Sequence, residues 1–223
     1  NIYIDHNKPK YKDDVMYRFR PRRNDAVNGF FMCDEGRLSF KALQENRQET
    51  ALLNGEDIGE VEAIEKAKEL IRKFYGNICI VIDANLYTQE IEAIMTFAKT
   101  IGTNVCSPQE IYQDEDFKDA MLKSANRAAN SKTIERLHIY TGNPRSDGLI
   151  INFNHPGEFT AQSQINFLTH KQNNAGLTLP IATWNENSGT LTNEDGIEQK
   201  CEQAIYKNNP VPTIIEYLQR LQS

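Results

Sequence analysis

From Glu60 onward the apolar positions recur at helical spacing. Val61, Ile64, Ala67, Leu70, Ile71 and Phe74 share one face of a helix predicted over about 60–75, and Gly76 stands where a C-terminal stop belongs. Ile78-Cys79-Ile80-Val81-Ile82 is then apolar without a break, which predicts a strand buried on both faces, as in a parallel sheet covered by helices on both sides. Ile91, Ile94, Met95, Ala98 and Ile101 mark a second helix over about 88–101, with Thr88 as N-cap and Gly102 as its end. Asn104-Val105-Cys106 reads as a short strand, Asp114 as the cap of a helix to about Ala129, and Leu149–Phe153 and Ile165–Leu168 as further strands. A last helix is predicted over Thr213–Leu221, after Pro210. Upstream, Asn1–Ile4 is strand-like. Val15, Tyr17 and Phe19 alternate as a strand ended by Pro21, Leu38–Glu45 has a short helical pattern, and Asn46–Gly59 reads as irregular. Strand and helix in alternation predict an α/β fold with a mainly parallel sheet flanked by helices, Ile78–Ile82 being a central strand.

Composition narrows the possibilities. A chain of 223 residues can bury a real core, while 39% hydrophobic residues and a mean hydropathy of -0.61 predict a polar surface. No apolar run approaches the roughly 18 residues of a membrane-spanning helix, so direct membrane insertion is not expected. A net charge of -6 argues against nucleic acid as a partner. Residues 1–23 nevertheless carry seven basic against three acidic groups, a local +4 that suits either a solvated edge or docking to an acidic partner surface. The four cysteines, Cys33, Cys79, Cys106 and Cys201, form no CxxC pair. No signal peptide is recognised, which sets reduced thiols and a cytoplasmic location as the expectation. The chain opens directly on a strand-like run without Met, and we read it as a piece of something longer.

Candidate chemistry is sparse. There is neither a Gly-x-Gly-x-x-Gly nor a P-loop; Ile82 leads instead into Asp83-Ala84-Asn85, a loop placed where α/β sheets bind ligands, at a strand's carboxyl end. The histidines His6, His138, His155 and His170 are scattered, and Pro156 spoils any helical pairing of His155 with Glu158, so surface or capping roles are expected and no catalytic or metal-ligating residue is assigned. Cys33 lies in a glycine-containing turn suited to an iron–sulfur ligand, but as a lone thiol. The stretch from Leu177 to Gln199 combines an apolar run, the single Trp184 and two glycine turns, and reads as a surface hairpin or Ω-loop.

Two of these stretches together resemble a known family. Arg20-Pro21-Arg22-x-Asn24-x-x-Val27-Asn28, followed by Met32-Cys33-Asp34-Glu35-Gly36-Arg37, is similar to the end of the iron–sulfur subdomain of molybdopterin-oxidoreductase-type proteins. Leu179-Pro180-x-Ala182-Thr183-x-x-Glu186-x-x-Gly189-Thr190-x-x-Asn193-x-x-Gly196-x-x-Gln199 is similar to a late segment of the same family, and the match is closest to the large iron–sulfur subunit of bacterial NADH–quinone oxidoreductase, respiratory complex I. The resemblance implies a remnant of the iron–sulfur subdomain over 1–45 and a truncated molybdopterin-oxidoreductase-like α/β domain over 46–223. It implies Cys33 as a relict cluster ligand, with Arg20, Arg22, Asn28, Asp34, Gly36, Arg37, Glu186, Gly189, Thr190, Asn193, Gly196 and Gln199 as motif positions. It also implies structural support of electron transfer, with other subunits of a respiratory complex as partners and a location peripheral to the inner membrane through them. Iron–sulfur clusters belong elsewhere in the complete subunit, and no cofactor is expected in this chain by itself. The chain departs from the family upstream, where Asn1–His6 holds no cysteine, and at Ile197, where the family carries Arg. The alternative is a stand-alone α/β module holding a nucleotide or pterin at the strand ends. A third possibility is a small oxidoreductase with Cys33 as redox thiol.

Overall fold

The computed structural model describes residues 15–173 and 175–223. The Asn1–Ile4 run, His6 and the basic residues Lys8, Lys10 and Lys12 lie outside them. In chain order the elements are α1 (Asp34–Leu38), β1 (Ala51–Leu53), β2 (Glu56–Ile58), α2 (Glu60–Lys73), β3 (Ile78–Ile82), α3 (Thr88–Thr100) and β4 (Asn104–Cys106). They continue with α4 (Ser131–Arg136), β5 (Leu149–Phe153), β6 (Ser163–Leu168), β7 (Leu177–Pro180), β8 (Gly189–Thr192), β9 (Glu198–Cys201) and α5 (Ile214–Gln222). Among the described residues seven strands form one sheet in the order β2-β1-β7-β6-β5-β3-β4, and β8 pairs with β9 as a separate hairpin. The pairs from β7 through β4 are parallel; β1 joins β7 and β2 antiparallel. The sheet is therefore mixed and mostly parallel.

Its two faces differ. Ile78, Ile80 and Ile82 of β3, Leu149, Ile151 and Phe153 of β5, and Ile165 and Phe167 of β6 point to one side. There they meet Ala63, Ile64 and Ala67 of α2, Ile91, Ile94 and Phe97 of α3, and Ile214, Tyr217 and Leu218 of α5. The opposite face carries Cys79, Val81, Cys106 and Ile150 under Phe159 and Ala161 of the β5–β6 connection. Beyond them the row continues through Asn152, Asn166 and Thr178, in register and buried. Buried amides need partners: the Asn152 side chain donates to the His155 carbonyl at 3.1 Å and that of Asn166 to the Ala175 carbonyl at 3.1 Å. The expectation of helices on both sides of β3 is thus corrected: loops cover its second face. Nor is β3 central, since only β4 lies beyond it.

Three other expectations change, each for a local reason. Residues 46–59 are not irregular. Asn54 and Gly55, at φ 52° and 90°, make the tight reversal that joins β1 to β2, and Asn-Gly is the pair that tolerates both left-handed positions. Val15–Phe19 is not a strand, because the Gln44 side chain occupies both backbone groups of Met16: it accepts from the N–H at 2.7 Å and donates to the carbonyl at 2.8 Å. Met16 and Phe19, rather than alternate residues, are the buried ones, against Ile205. The predicted helix at 114–129 is replaced by turns. One oxygen of Asp119 takes the N–H groups of Met121, Leu122 and Lys123, and no apolar stripe there repays helix formation. Helix α3 starts where expected, but Tyr87 rather than Thr88 is its cap.

Candidate functional site

The strand order reverses direction between β3 and β5. From β3 the chain crosses by α3 to β4 on one side, and from β5 it steps to β6 on the other. Connections of one hand leaving in opposite directions must cover opposite faces, as α3 and Phe159 do, and they leave a crevice at the carboxyl ends where they part. A cavity of about 700 Å³ opens there, lined by Asp83 and Asn85 after β3, Asn154 after β5, Thr169 and His170 after β6, and Ile181–Trp184 after β7, with Glu90 from α3 and Cys201 from β9.

One hydrogen-bonded row ties these strand ends together. Asp83 accepts from the Tyr112 hydroxyl at 2.8 Å, the Asn85 N–H at 2.8 Å and the Asn154 amide at 3.1 Å. Asn154, held at φ 59°, accepts in turn from the N–H and hydroxyl of Thr169 at 3.0 and 2.9 Å, and Thr169 Oγ1 lies 2.8 Å from His170 Nδ1. Burial raises the Asp83 carboxyl above its ordinary range against these donors, and raises Tyr112. Burial, then the charge of Arg47, lowers His170, whose Nε2 is buried without a hydrogen bond. Glu90 closes the N-terminus of α3, taking the Tyr87 N–H at 3.0 Å and the Asn187 amide at 3.2 Å; its burial pushes the carboxyl up to about 7. Cys201 is also raised by burial and stays a thiol. The cavity is therefore polar, with both carboxyls shifted toward their protonated forms. Among the described residues it offers hydrogen bonds to a bound molecule but no activated nucleophile with a base beside it.

Glu90 yields a pH test. Its folded pKa of about 7 stands above the ordinary 4.5, so the folded chain holds an extra proton between those values and loses stability as pH rises through them. Glu90→Gln removes this titration. Relative to the unsubstituted chain the variant should gain on the order of 3 kcal/mol between pH 5 and 8; parallel denaturation curves across that range would contradict the assignment.

The late motif folds over this end of the sheet and is not a free loop. Leu177–Pro180 is the buried strand β7, and Gly189–Cys201 forms the β8–β9 hairpin, turned at Gly196 with φ 80°. A Cβ on Gly189 would sit 2.5 Å from the Tyr87 ring, so only glycine lets the hairpin approach α3 so closely. Thr190 is held by Gln89, with its N–H 3.0 Å from the amide oxygen, and Asn193 accepts from the Ile197 N–H at 2.8 Å. Glu186 lies under the cavity wall in a buried ion pair with Arg47 (2.8 Å) and a second with Lys207 (3.0 Å). Burial opposes ionisation there, yet the Thr183 N–H, Arg47 and Lys207 hold its carboxyl below the usual range.

The early motif is placed differently. Arg20, Arg22, Asp34 and Arg37 are exposed, and Asn28 closes its own turn by donating to the Phe31 carbonyl at 2.6 Å. Cys33 caps the five-residue α1, accepting from the Gly36 N–H at 3.3 Å, and borders a separate depression with Lys123. Among the described residues no group of three or more His, Cys, Asp or Glu could hold a metal, so what surrounds Cys33 does not fit an iron–sulfur cluster, which takes four such ligands. The motifs do meet: the Asn24 amide donates to Gln199 Oε1 at 3.3 Å, and the Phe19 and Trp184 rings lie 5.8 Å apart.

Sequence reasoning placed Asp83 and Asn85 at a strand end but missed Arg47, Glu90, Asn154 and His170 as neighbours, since they are far apart in the chain. His155, expected at the surface, is buried. Its Nδ1 accepts from the Gly157 N–H and its Nε2 faces the Pro108 carbonyl, both at 3.0 Å. Burial lowers its pKa and favours the neutral ring. No protein-family model and no curated protein matches the chain.

Proposed function

We propose that the chain is a non-catalytic α/β domain of the large iron–sulfur subunit of an NADH–quinone oxidoreductase, supporting electron transfer in the peripheral arm without carrying electrons. The observation behind this is the meeting of the two motif segments, 175 residues apart at Asn24 and Gln199. A chance likeness in two unrelated surface stretches would not require them to touch. A truncated molybdopterin-oxidoreductase-like fold, the relict role of Cys33, partner subunits and a peripheral membrane location all belong to this proposal. No helix of the described residues is long and apolar enough to cross a membrane. A tagged chain captured from membranes of its source organism should bring with it iron–sulfur subunits of an NADH dehydrogenase, and the isolated chain should not oxidise NADH. Capture without any such subunit would overturn the proposal.

The cavity at the switch point favours a second reading, a module that holds a nucleotide or pterin. Titration calorimetry separates the two. Micromolar binding of a guanine nucleotide or a pterin, lost in Asn154→Ala, would support the module, whereas a supporting domain should bind neither.

A further inference from the structure

A pair of thiols lies on the sheet face away from the helices and outside the cavity described above. Cys79 of β3 and Cys106 of β4 are buried, with Sγ atoms 3.8 Å apart, and both line a second cavity of about 410 Å³ that Lys99 and Arg145 also border. We propose that Cys79 and Cys106 form a binding site for a soft, thiophilic cation of low coordination number, the chemistry of Cu(I).

Three features of the geometry carry the proposal. The first is the separation of the sulfurs. Two metal–sulfur bonds of about 2.3 Å span roughly 4.6 Å when collinear, as in a two-coordinate ion, and roughly 4 Å when bent to a trigonal angle, so thiols 3.8 Å apart need part by less than about 1 Å to admit one. The second is the register. Cys106 lies opposite Val81, two residues beyond Cys79 along the strand. That offset and the strand spacing put the α-carbons roughly 8 Å apart, outside the span a disulfide tolerates. The pair is therefore poorly built to join directly and well built to share an ion. The third is the ligand count. Zinc in a closed site takes four ligands, and among the described residues no third His, Cys, Asp or Glu joins the pair. Soft thiolates with few other ligands select Cu(I).

Loading would release two protons: one Cu(I) and two thiols give a dithiolate complex of charge -1, with no change of oxidation state. Lys99 and Arg145 at the cavity supply positive charge that offsets part of that cost.

The test uses the full chain carrying Cys33→Ser and Cys201→Ser, titrated anaerobically with Cu(I) against a chromogenic Cu(I) chelator. One equivalent should be withdrawn from the chelator, with a copper–thiolate band in the near ultraviolet. Adding Cys79→Ala or Cys106→Val should abolish it. Should either variant fail to fold, alkylation of the unsubstituted chain read by mass spectrometry decides, with copper protecting Cys79 and Cys106 from modification. No retained copper, unchanged binding in the folded variants, or Zn(II) bound as tightly as Cu(I) would each overturn the proposal. So would ready formation of a Cys79–Cys106 disulfide by diamide with the folded state kept.

Discussion

Ile80→Asp should leave the chain unfolded at room temperature. Ile80 is fully buried in β3, between Val105 of β4 and Ile151 of β5, facing the helices. The substitution forfeits about 2 kcal/mol of apolar burial. It then places a carboxyl where nothing can donate to it, whether it ionises or binds a proton at further cost. Together these losses exceed about 5 kcal/mol, as much as many domains possess. Ile80→Val, which removes one methylene, should cost only about 1 kcal/mol. Circular dichroism and urea denaturation of the two variants give the comparison. A cooperative transition for Ile80→Asp within about 2 kcal/mol of the unsubstituted chain would mean that β3 is not packed as described.

The second large effect is expected at Arg47. Its guanidinium is 7% exposed and meets the 10% exposed carboxylate of Glu186 at 2.8 Å. Removing one member of a buried pair leaves the other desolvated and short of charge, which typically costs more than the pair contributes. Lys207 still reaches Glu186, so Arg47→Met should cost about 3 kcal/mol rather than more. The loss should be largest at neutral pH. The Glu186 carboxyl is held below its ordinary value, so its stabilisation is present above that value and fades in acid, as pH falls through the folded pKa. Arg47→Met combined with Glu186→Gln should recover part of the loss. His170, no longer beside a positive charge, should titrate at higher pH in the single variant, which NMR of the ring can follow. Two losses that simply add, with the His170 titration unmoved, would break the assignment.

The elements read correctly and those misread divide on one physical point. Helices α2, α3 and α5 carry apolar residues at the helical period and strands β3, β5 and β6 hold short, mainly apolar runs, and burial of those side chains is what stabilises them. Their existence and approximate limits are legible in the chain itself. The Asn54-Gly55 reversal is legible too, because its dipeptide is a hairpin signal, although the surrounding 46–59 reads as irregular on its polar residues. Val15–Phe19 and 114–129 differ for another reason. There the backbone is satisfied by single side chains, Gln44 and Asp119, and a side-chain hydrogen bond leaves no periodic trace.

The site shows the same division more sharply. That a ligand crevice would lie beyond the carboxyl end of β3 follows from an apolar strand ending in Asp83, whereas the close approach of the late hairpin to Tyr87, which Gly189 permits, does not. Local sequence determined the α/β class, the helices α2, α3 and α5 themselves, the strand ends and the glycine turns, because each depends on neighbours within a few residues. Only the tertiary structure decided the strand order, with its reversal between β3 and β5, and the loops rather than helices on the second face. It also decided the joining of Asp83, Asn154, Thr169 and His170 into one row, the burial of Arg47 against Glu186, and the approach of Cys79 to Cys106. Those outcomes depend on which strands become neighbours. That choice is made by the sum of burial over the whole core, and no short stretch of chain contains it.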